Sequence, residues 1–436
     1  MELIVIQYSK GFMEMIIMLS NKRTIFHIDV NSAYLSWDAV DRLQHGEALD
    51  LRTIPSAVGG DPKTRHGIIL TKSTPAKKFG IKTGETLHAA YTKCPELVIV
   101  PPRYDVYVKA SNALVELLKR YTPVIQRFSV DECFLDFTGM ENLYKDPIDL
   151  AYKIKENIKE ELGFTVSIGV SDNKLLAKMG SDLKKPDAVT SLFPCEIKEK
   201  MWPLPVEDLF MVGRATAPKL HRLNIFTIGD LANYNVDILK ERLKSQGLLI
   251  WQYANGIEDS SVRKSNYLQM KGIGNSTTMP FDVDDRKTAH MVILSLSETV
   301  GMRLRNSENC CRLVSIGLRN YELMSCSRQR KLFSATDSTK KISEVACELF
   351  DELWTGVPLR HIGVSVSELC TNEFNQSSFF DEKDIDKNRQ IDKTLDSLRM
   401  RFGSNAVYRS AFLHSGLKPM TGGIGEDEYP VMASML

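Results

Sequence analysis

The sequence predicts an α+β chain of several domains, in which two β–α–ββ–α–β units flank an all-helical stretch. Three observations carry this prediction. Short apolar runs, such as residues 24–30 (TIFHIDV) and 164–170 (FTVSIGV), alternate with segments of helical spacing. Residues 190–260 then lose the strand pattern and read as short helices joined by turns. After a polar stretch at 258–266 (EDSSVRKSN), the first pattern returns. A length of 436 residues fits two to four domains at about 150 residues each.

In chain order, 24–30 is a buried strand and 97–101 (LVIVP) another. Tyr107, Ala110, Leu114, Leu117 and Leu118 give 104–120 a helical stripe. Residues 123–128 and 133–138 read as a hairpin, turning at Ser129-Val130-Asp131-Glu132. A helix at 148–162 and the strand 164–170 complete a ferredoxin-like split βαβ order. Beyond the helical region, 285–306 is amphipathic through Val292, Leu296, Val300 and Leu304. Strands follow at 312–319 and 361–368, with a helix at 341–354 between them and another at 389–402 after them.

Composition excludes several classes. Gly and Pro number 26 and 17, too few for a disordered or collagen-like chain. The formal net charge of +1 excludes a uniformly basic coat protein, though not a local basic face. Eight scattered cysteines without C-x-x-C spacing argue against a zinc ribbon and fit a reducing cytoplasm. No apolar run is long enough to span a membrane. Residues 1–22 read as a loosely held extension or a start-site artefact, with no secretory cleavage pattern.

The chemistry concentrates on acids. Asp29 closes the first strand, and Asp131 and Glu132 sit at the hairpin tip. In a ferredoxin-like sheet these strands are neighbours, so the three carboxylates converge at one sheet end. Clustered carboxylates repel, and without cations one must take up a proton. Two Mg²⁺ ions about 4 Å apart relieve that and suit in-line phosphoryl or nucleotidyl transfer. On spacing alone, Asp131 and Glu132 read equally well as ordinary turn residues.

Three motifs carry a resemblance. Asp29-Val30-Asn31-Ser32-Ala33-Tyr34 resembles the first motif of Y-family DNA polymerases. Phe128-Ser129-Val130-Asp131-Glu132-Cys133-Phe134 is similar to their second acidic motif, and 167–178 (SIGVSDNKLLAK) to their third. The nearest branch is the DinB, or polymerase IV, group of Gram-positive bacteria, with UmuC-like proteins next. The resemblance implies a right-hand fold: an extension at 1–22, a palm at 23–34 and 97–189, and fingers at 35–96. It further implies a helix-hairpin-helix thumb at 190–257, a linker at 258–267, a βαββαβ little finger at 268–370 and a C-terminal region at 371–436.

By the same resemblance Asp29, Asp131 and Glu132, with the Val30 carbonyl, hold two Mg²⁺ ions. Tyr34 is the steric gate against a ribose 2′-hydroxyl, its alternative being a core aromatic. Thr71, Thr74, Lys77 and Lys185 contact the triphosphate of a dNTP. Relatives often have Tyr and Arg where Thr74 and Lys77 stand, and a lysine offers a point charge in place of a planar fork.

For duplex binding, 209–220 (LFMVGRATAPKL) looks like a helix-hairpin-helix in which Gly213 opens a helix and Met211 replaces the usual first glycine. Strand alternation can place several of Arg312, Arg319, Arg328, Arg330 and Lys331 on one exposed face that grips primer-template DNA. A charge run is otherwise a solvated surface.

Gln376, Phe379 and Phe380 look like the bacterial sliding-clamp peptide, a tether that raises local concentration. The competing expectation docks the Phe pair on the chain's own helix 389–402, against Ile391, Leu395 and Leu398. The implied activity is template-directed, low-fidelity DNA synthesis past lesions without proofreading, by a cytoplasmic monomer. A nucleotide cyclase on a similar sheet, or a non-catalytic DNA-binding relative, are the alternatives.

Overall fold

The computed structural model describes residues 23–61, 67–263, 270–371, 385–403, 405–413, 415–417, 419 and 420. The described residues form two compact units, one built from residues up to Gly59 and from Ile69 to Leu268, the other from Gly60–Ile68 and from Gln269 onward. Residues 1–22, the end of the expected linker, and Gln376, Phe379 and Phe380 lie outside the described residues. Among the described residues no helix is long and apolar enough to cross a membrane.

The first unit is organised around β1 (Ile25–Val30), in which every residue is buried. Helix α1 (Ala33–Gln44) follows directly. A small sheet comes next: β2 (Ser56–Gly59), β3 (Ile69–Lys72) and β4 (Val98–Val100), in the order β3-β2-β4. Helices α2 (Thr74–Lys78) and α3 (Leu87–Lys93) lie within that excursion. The segment from residue 97 begins with a strand of this small sheet. Strand β4 pairs in parallel with β2 and takes no part in the larger sheet.

The larger sheet is completed by α4 (Tyr104–Leu118), β5 (Ile125–Arg127), β6 (Glu132–Asp136), α5 (Pro147–Leu162), β7 (Val166–Ser171), α6 (Lys174–Leu183) and β8 (Val189–Ser191). Its order is β5-β6-β1-β7-β8, with β1 antiparallel to both neighbours. Alternation along β1 assigns its two faces. Phe26, Ile28 and Val30 join a core with Trp37, Tyr107, Leu114, Leu118, Ile154 and Ile158 of the helices. Ile25, His27 and Asp29 face the other way, toward α6.

Helix α6 starts where the Asn173 side chain accepts the Leu176 N–H at 2.8 Å. It rests on the backbone of β7 at Gly169. A Cβ there would collide with the Ala177 carbonyl oxygen and the Ser181 nitrogen, so only glycine allows this approach.

Residues 194–254 are short helices, among them α7 (Ala217–His221), α8 (Ile228–Ala232), α9 (Val236–Leu243) and α10 (Ser245–Ala254). They bury Leu220, Ile225, Ile228, Leu231 and Ile250 around a core of their own.

The second unit runs β9 (Gly272–Val283), α11 (Arg286–Asn306), β10 (Asn309–Asn320), β11 (Ser325–Thr336), α12 (Thr339–Leu353) and β12 (Leu359–Thr371). The element order repeats that of the first unit, but the strand order does not. Here it is β11-β10-β12-β9, antiparallel throughout. Val314, Ile316, Leu318, Ile362, Val364 and Val366 pack under α11 and α12.

A last helix, α13 (Ile385–Phe402), overlaps the expected 389–402. Ile391 and Phe402 are exposed, whereas Asp392, Asp396 and Arg399 are buried. The buried side is ionic. Arg305 reaches Asp396 at 2.5 Å and Asp392 at 3.4 Å, and Glu298 receives Arg399 at 3.1 Å and Arg409 at 2.9 Å. Arg389 pairs with Asp337 at 2.9 Å.

Because Gly169 sets the height of α6 over the sheet, Gly169→Ala should cost on the order of 3 kcal/mol through overpacking. A thermal melt of the purified variant is expected several degrees below wild type, or the variant should be recovered unfolded. An unchanged melt would show that α6 can move away freely.

Candidate active site and nucleic-acid interface

Asp29 and Glu132 stand directly opposite each other in the β1–β6 ladder. The Val30 N–H donates to the Asp131 carbonyl oxygen at 3.1 Å, so the third acid lies at the same strand end. The hairpin is tight there: Phe128 N–H and Ser129 N–H both donate to the Glu132 carbonyl oxygen, at 2.9 and 3.2 Å. The Ser129 hydroxyl donates to Asp131 Oδ1 at 2.5 Å. The sequence thus brings its three acids together. Among the described residues, however, no three acids, histidines or cysteines form a ready metal cage.

Two lysines answer the acids instead. Lys185 Nζ lies 3.0 Å from Asp29 Oδ1 and 2.8 Å from Asp182 Oδ1. Lys178 Nζ lies 2.8 Å from Glu132 Oε2 and also over the rings of Phe128 and Phe210, at 5.1 and 5.6 Å. His27 is fully buried, its Nδ1 at 2.8 Å from the Ser181 hydroxyl and its Nε2 at 3.5 Å from Glu132. Burial holds this imidazole below its ordinary pKa and therefore neutral.

Burial pushes the Asp29 carboxyl up to about 7, against the pull of Lys185, with Glu132 and Asp131 adding to the rise. Burial raises Asp131 as well, and Ser129 opposes it. Burial would also raise Glu132, but His27 and Lys178 outweigh it and hold this carboxyl well below the usual range.

The other expected phosphate contacts lie on the small sheet and the helix that follows it. Thr71 lies on β3, and Thr74 is the first residue of α2, capped by the Ser73 hydroxyl, which accepts the Ala76 N–H at 3.1 Å. Partial burial and repulsion from Lys185 lower the Lys77 ammonium, while Asp29 pulls it back up. Lys77 and Lys185 therefore share one neighbourhood.

Tyr34 is half-buried near the start of α1. Its ring stacks on buried Tyr107 at 4.5 Å and 6°, with Tyr104 edge-on at 6.2 Å. It is neither a fully buried core aromatic nor a loose surface ring.

Gly213 does not open a helix, as the sequence suggested; α7 begins at Ala217. The Gly213 carbonyl instead accepts the N–H groups of Thr216 and Ala217, at 2.9 and 3.0 Å, forming the turn before the helix. A Cβ on Gly213 would meet nothing within 4 Å, so this backbone is open. Met211 adopts φ 73°, the left-handed conformation a glycine would supply. Its carbonyl accepts Gln246 Nε2 at 2.9 Å, so the turn survives the departure from the motif.

The five basic residues of the second unit do not share a face. Arg328 and Arg330 lie opposite Ile316 and Val314, on the helix side of the sheet. There they pair with Glu352 and Glu348 of α12. Arg319 and Lys331 point to the opposite, open face; Arg319 donates to Ser325 and Lys331 pairs with Glu368 at 2.7 Å. Arg312 is exposed. Period two in β11 is the cause, since residues 328 and 330 cannot share a face with 331.

What the sequence reading missed is the open face itself. Gly272, Gly274 and Ser276 on β9 lie opposite Ser367, Ser365 and Gly363 on β12. Ser315 and Gly317 on β10 continue the same rows. Small residues at every second position were the signal. Lys178, Asn31 and Asp182 were also missed as site residues. Lys178 stood out only as a charge in the apolar run of α6.

Comparison with known proteins agrees on one family. The pattern of the impB/mucB/samB family matches residues 28–182, its helix-hairpin-helix motif residues 194–225, and its C-terminal domain residues 270–379. The chain is 48% identical over 395 residues to DNA polymerase IV of Clostridium acetobutylicum, covering 90% of this chain and 98% of that protein. It is 41% identical over 396 residues to DNA polymerase IV of Acetivibrio thermocellus, with the same coverage of 90% and 98%. Among solved structures, the Y-family DNA polymerase chimera Dbh-Dpo4(243-245)-Dbh superposes with a TM-score of 0.68 at 24% identity, over 80% of this chain and 100% of that one. A Dbh ternary complex superposes with a TM-score of 0.54 at 25% identity, over 79% and 98%.

Proposed function

The chain belongs to the impB/mucB/samB family, the Y-family DNA polymerases, in the polymerase IV branch, and from that premise we propose that the acid cluster on β1 and β6 is where it joins a deoxynucleotide to a primer. The primer 3′-hydroxyl oxygen bonds to the α-phosphorus of the incoming dNTP. The bond from that phosphorus to the bridging oxygen breaks, and pyrophosphate leaves. The enzyme is a DNA-directed DNA polymerase of translesion synthesis, so the cyclase alternative falls away. The observation that carries the assignment of the site is Asp29 opposite Glu132, with Asp29 pushed up to about 7 among its neighbouring acids.

The donor set fits hard divalent cations: clustered carboxylate oxygens at one sheet end, two of the three carboxyls raised by burial beside the other acids. Asp29, Asp131, Glu132 and the Val30 carbonyl would hold two Mg²⁺ ions. Bound there, the ions lower the pKa of the attacking hydroxyl and stabilise charge on the leaving pyrophosphate.

The chain's own side chains do the positioning. Lys185 and Lys77, with Thr71 and Thr74, take the triphosphate beside Asp29. Tyr34, backed by Tyr107, lies under the sugar and excludes a 2′-hydroxyl by volume. The open turn at Gly213 offers backbone to a DNA phosphate, which grips without reading sequence. The open face of the second unit, with Arg319 and Lys331 at its edges, does the same. Arg312 joins it as an exposed cation. Arg328 and Arg330 contribute less, because they lie on the helix side of the sheet against Glu348 and Glu352 of α12. Gln376, Phe379 and Phe380 are the tether to a sliding clamp. The reaction draws on primer-template DNA and dNTPs, and our reading places it in the bacterial cytoplasm, carried out by a monomer.

Asp131→Ala should reduce primer extension by several powers of ten, a range set by the loss of charge stabilisation, and leave DNA binding intact. Near-wild-type extension by the folded variant would remove the acid cluster from the chemistry. Tyr34→Ala should admit ribonucleotides with little loss on dNTPs in single-nucleotide kinetics; unchanged sugar discrimination would rule the ring out as the gate. A Cβ on Gly317 meets nothing within 4 Å, so Gly317→Glu tests the open face without disturbing packing. Its duplex affinity should drop by roughly tenfold, about 1.4 kcal/mol, at an unchanged melting temperature. Wild-type affinity would move the duplex elsewhere.

A further inference from the structure

We propose that Asn31 is a positioning residue for the incoming nucleotide, registering the loop that carries Lys185 against the strand that carries Asp29. This rests on the reading that Lys185 takes a phosphate. Asn31 follows β1 directly and is 9% exposed. Its Oδ1 accepts the Asp187 N–H at 2.8 Å and the Thr165 hydroxyl at 3.0 Å. Its Nδ2 donates to the Ser167 hydroxyl at 2.9 Å. The Asp187 N–H can only donate, which fixes the orientation of the amide.

The main chain of Asn31 is equally committed. Its N–H donates to the Thr165 carbonyl at 3.0 Å, and its carbonyl accepts the Ser36 hydroxyl at 2.6 Å. One residue therefore joins the end of β1, the start of β7, the helix that bears Tyr34 and the loop that bears Lys185.

The loop has a second anchor, but of another kind. The Asp187 carboxylate is held by Lys155 at 2.8 Å and Lys159 at 3.2 Å, both on α5. That anchor keeps the loop on the unit without setting its distance from the acids. The Asn31 bond to Asp187 runs from the end of the strand of Asp29 itself, alongside the Lys185–Asp29 ion pair, two residues from Asp29 at one end and two from Lys185 at the other. Both Oδ1 acceptor positions and one Nδ2 proton are in use, so Asn31 acts on nucleotide through Lys185 and not by contact. The polarity of the motif residue between Val30 and Ser32 thus has a physical reason: it must accept two hydrogen bonds at once.

The test is single-nucleotide incorporation by the full chain at saturating primer-template and Mg²⁺, with the dNTP varied. Asn31→Ala should raise KM for dNTP by about 10- to 100-fold, the usual effect of removing a supporting hydrogen bond, with a much smaller change in kcat. Asn31→Asp keeps both acceptor positions, and its second oxygen can accept a hydrogen bond from the Ser167 hydroxyl, so it should recover most of KM. Lys185→Ala should raise KM at least as far, and adding Asn31→Ala to it should raise KM little more. If Asn31→Ala does not fold, Asn31→Ser, too short to reach the Asp187 N–H, should give the same split. A wild-type KM in the folded Ala or Ser variant, or an effect that multiplies fully with Lys185→Ala, overturns the positioning role. An unchanged KM in Lys185→Ala instead overturns the phosphate role of Lys185, and the proposal with it.

Discussion

Two carboxylates facing each other across adjacent strands repel, and much of the first unit is arranged around Asp29 and Glu132. At roughly 5 Å in a partly screened interior, two like charges cost about 3 kcal/mol. The answer comes from one helix and the loop after it. Helix α6 lies close enough to the sheet, over Gly169, to bring Lys178 to Glu132. The loop that follows brings Lys185 to Asp29. His27, between the strand and the helix, stays neutral and adds no charge of its own. The two acids are treated unequally. Glu132 is fully answered and held ionised, while Asp29 remains close to sharing a proton. A site poised in this way favours added positive charge on the Asp29 side, where Lys77 and Lys185 also gather.

Much of this was legible in the sequence because the buried strands of the first unit are nearly continuous apolar runs ending in acids. Residues 25–30 and 166–171 are buried on both faces, and such runs announce themselves. The longer strands β9 and β11 did not. One face of each is open, and its side chains are Gly, Ser, Gln and Lys, so no apolar alternation rises above the polar background. Strand β4 was visible as a strand but not as a member of the small sheet, because pairing partners are not written in a local pattern. Several basic residues of the second unit were expected on one exposed face; period two divides them, and acids on α12 claim Arg328 and Arg330. Asn31 and Lys178 were quoted within motifs, yet their roles depend on partners more than forty residues away.

The two sheets share an order of elements and differ in the order of strands, with a consequence for function. In the first unit the central strand ends in the acid cluster, so the chemistry sits at a sheet end. In the second unit one face is covered by α11 and α12, and the other keeps rows of glycine and serine. That face presents backbone and small hydroxyls to whatever lies on it. A surface of this kind can follow the regular spacing of a phosphate backbone and has few side chains long enough to interrogate bases, which suits an enzyme that must accept damaged templates.

The ionic underside of α13 has an evolutionary consequence. Glu298, Arg305, Asp392, Asp396, Arg399 and Arg409 neutralise one another in a region with little water. Losing a single partner strands a buried charge at a cost of about 3–5 kcal/mol, whereas replacing a matched set by apolar groups can be neutral. These positions are therefore not free to drift one at a time. Between lineages they should be inherited intact or exchanged together, so that segments about a hundred residues apart in the chain keep a common substitution history.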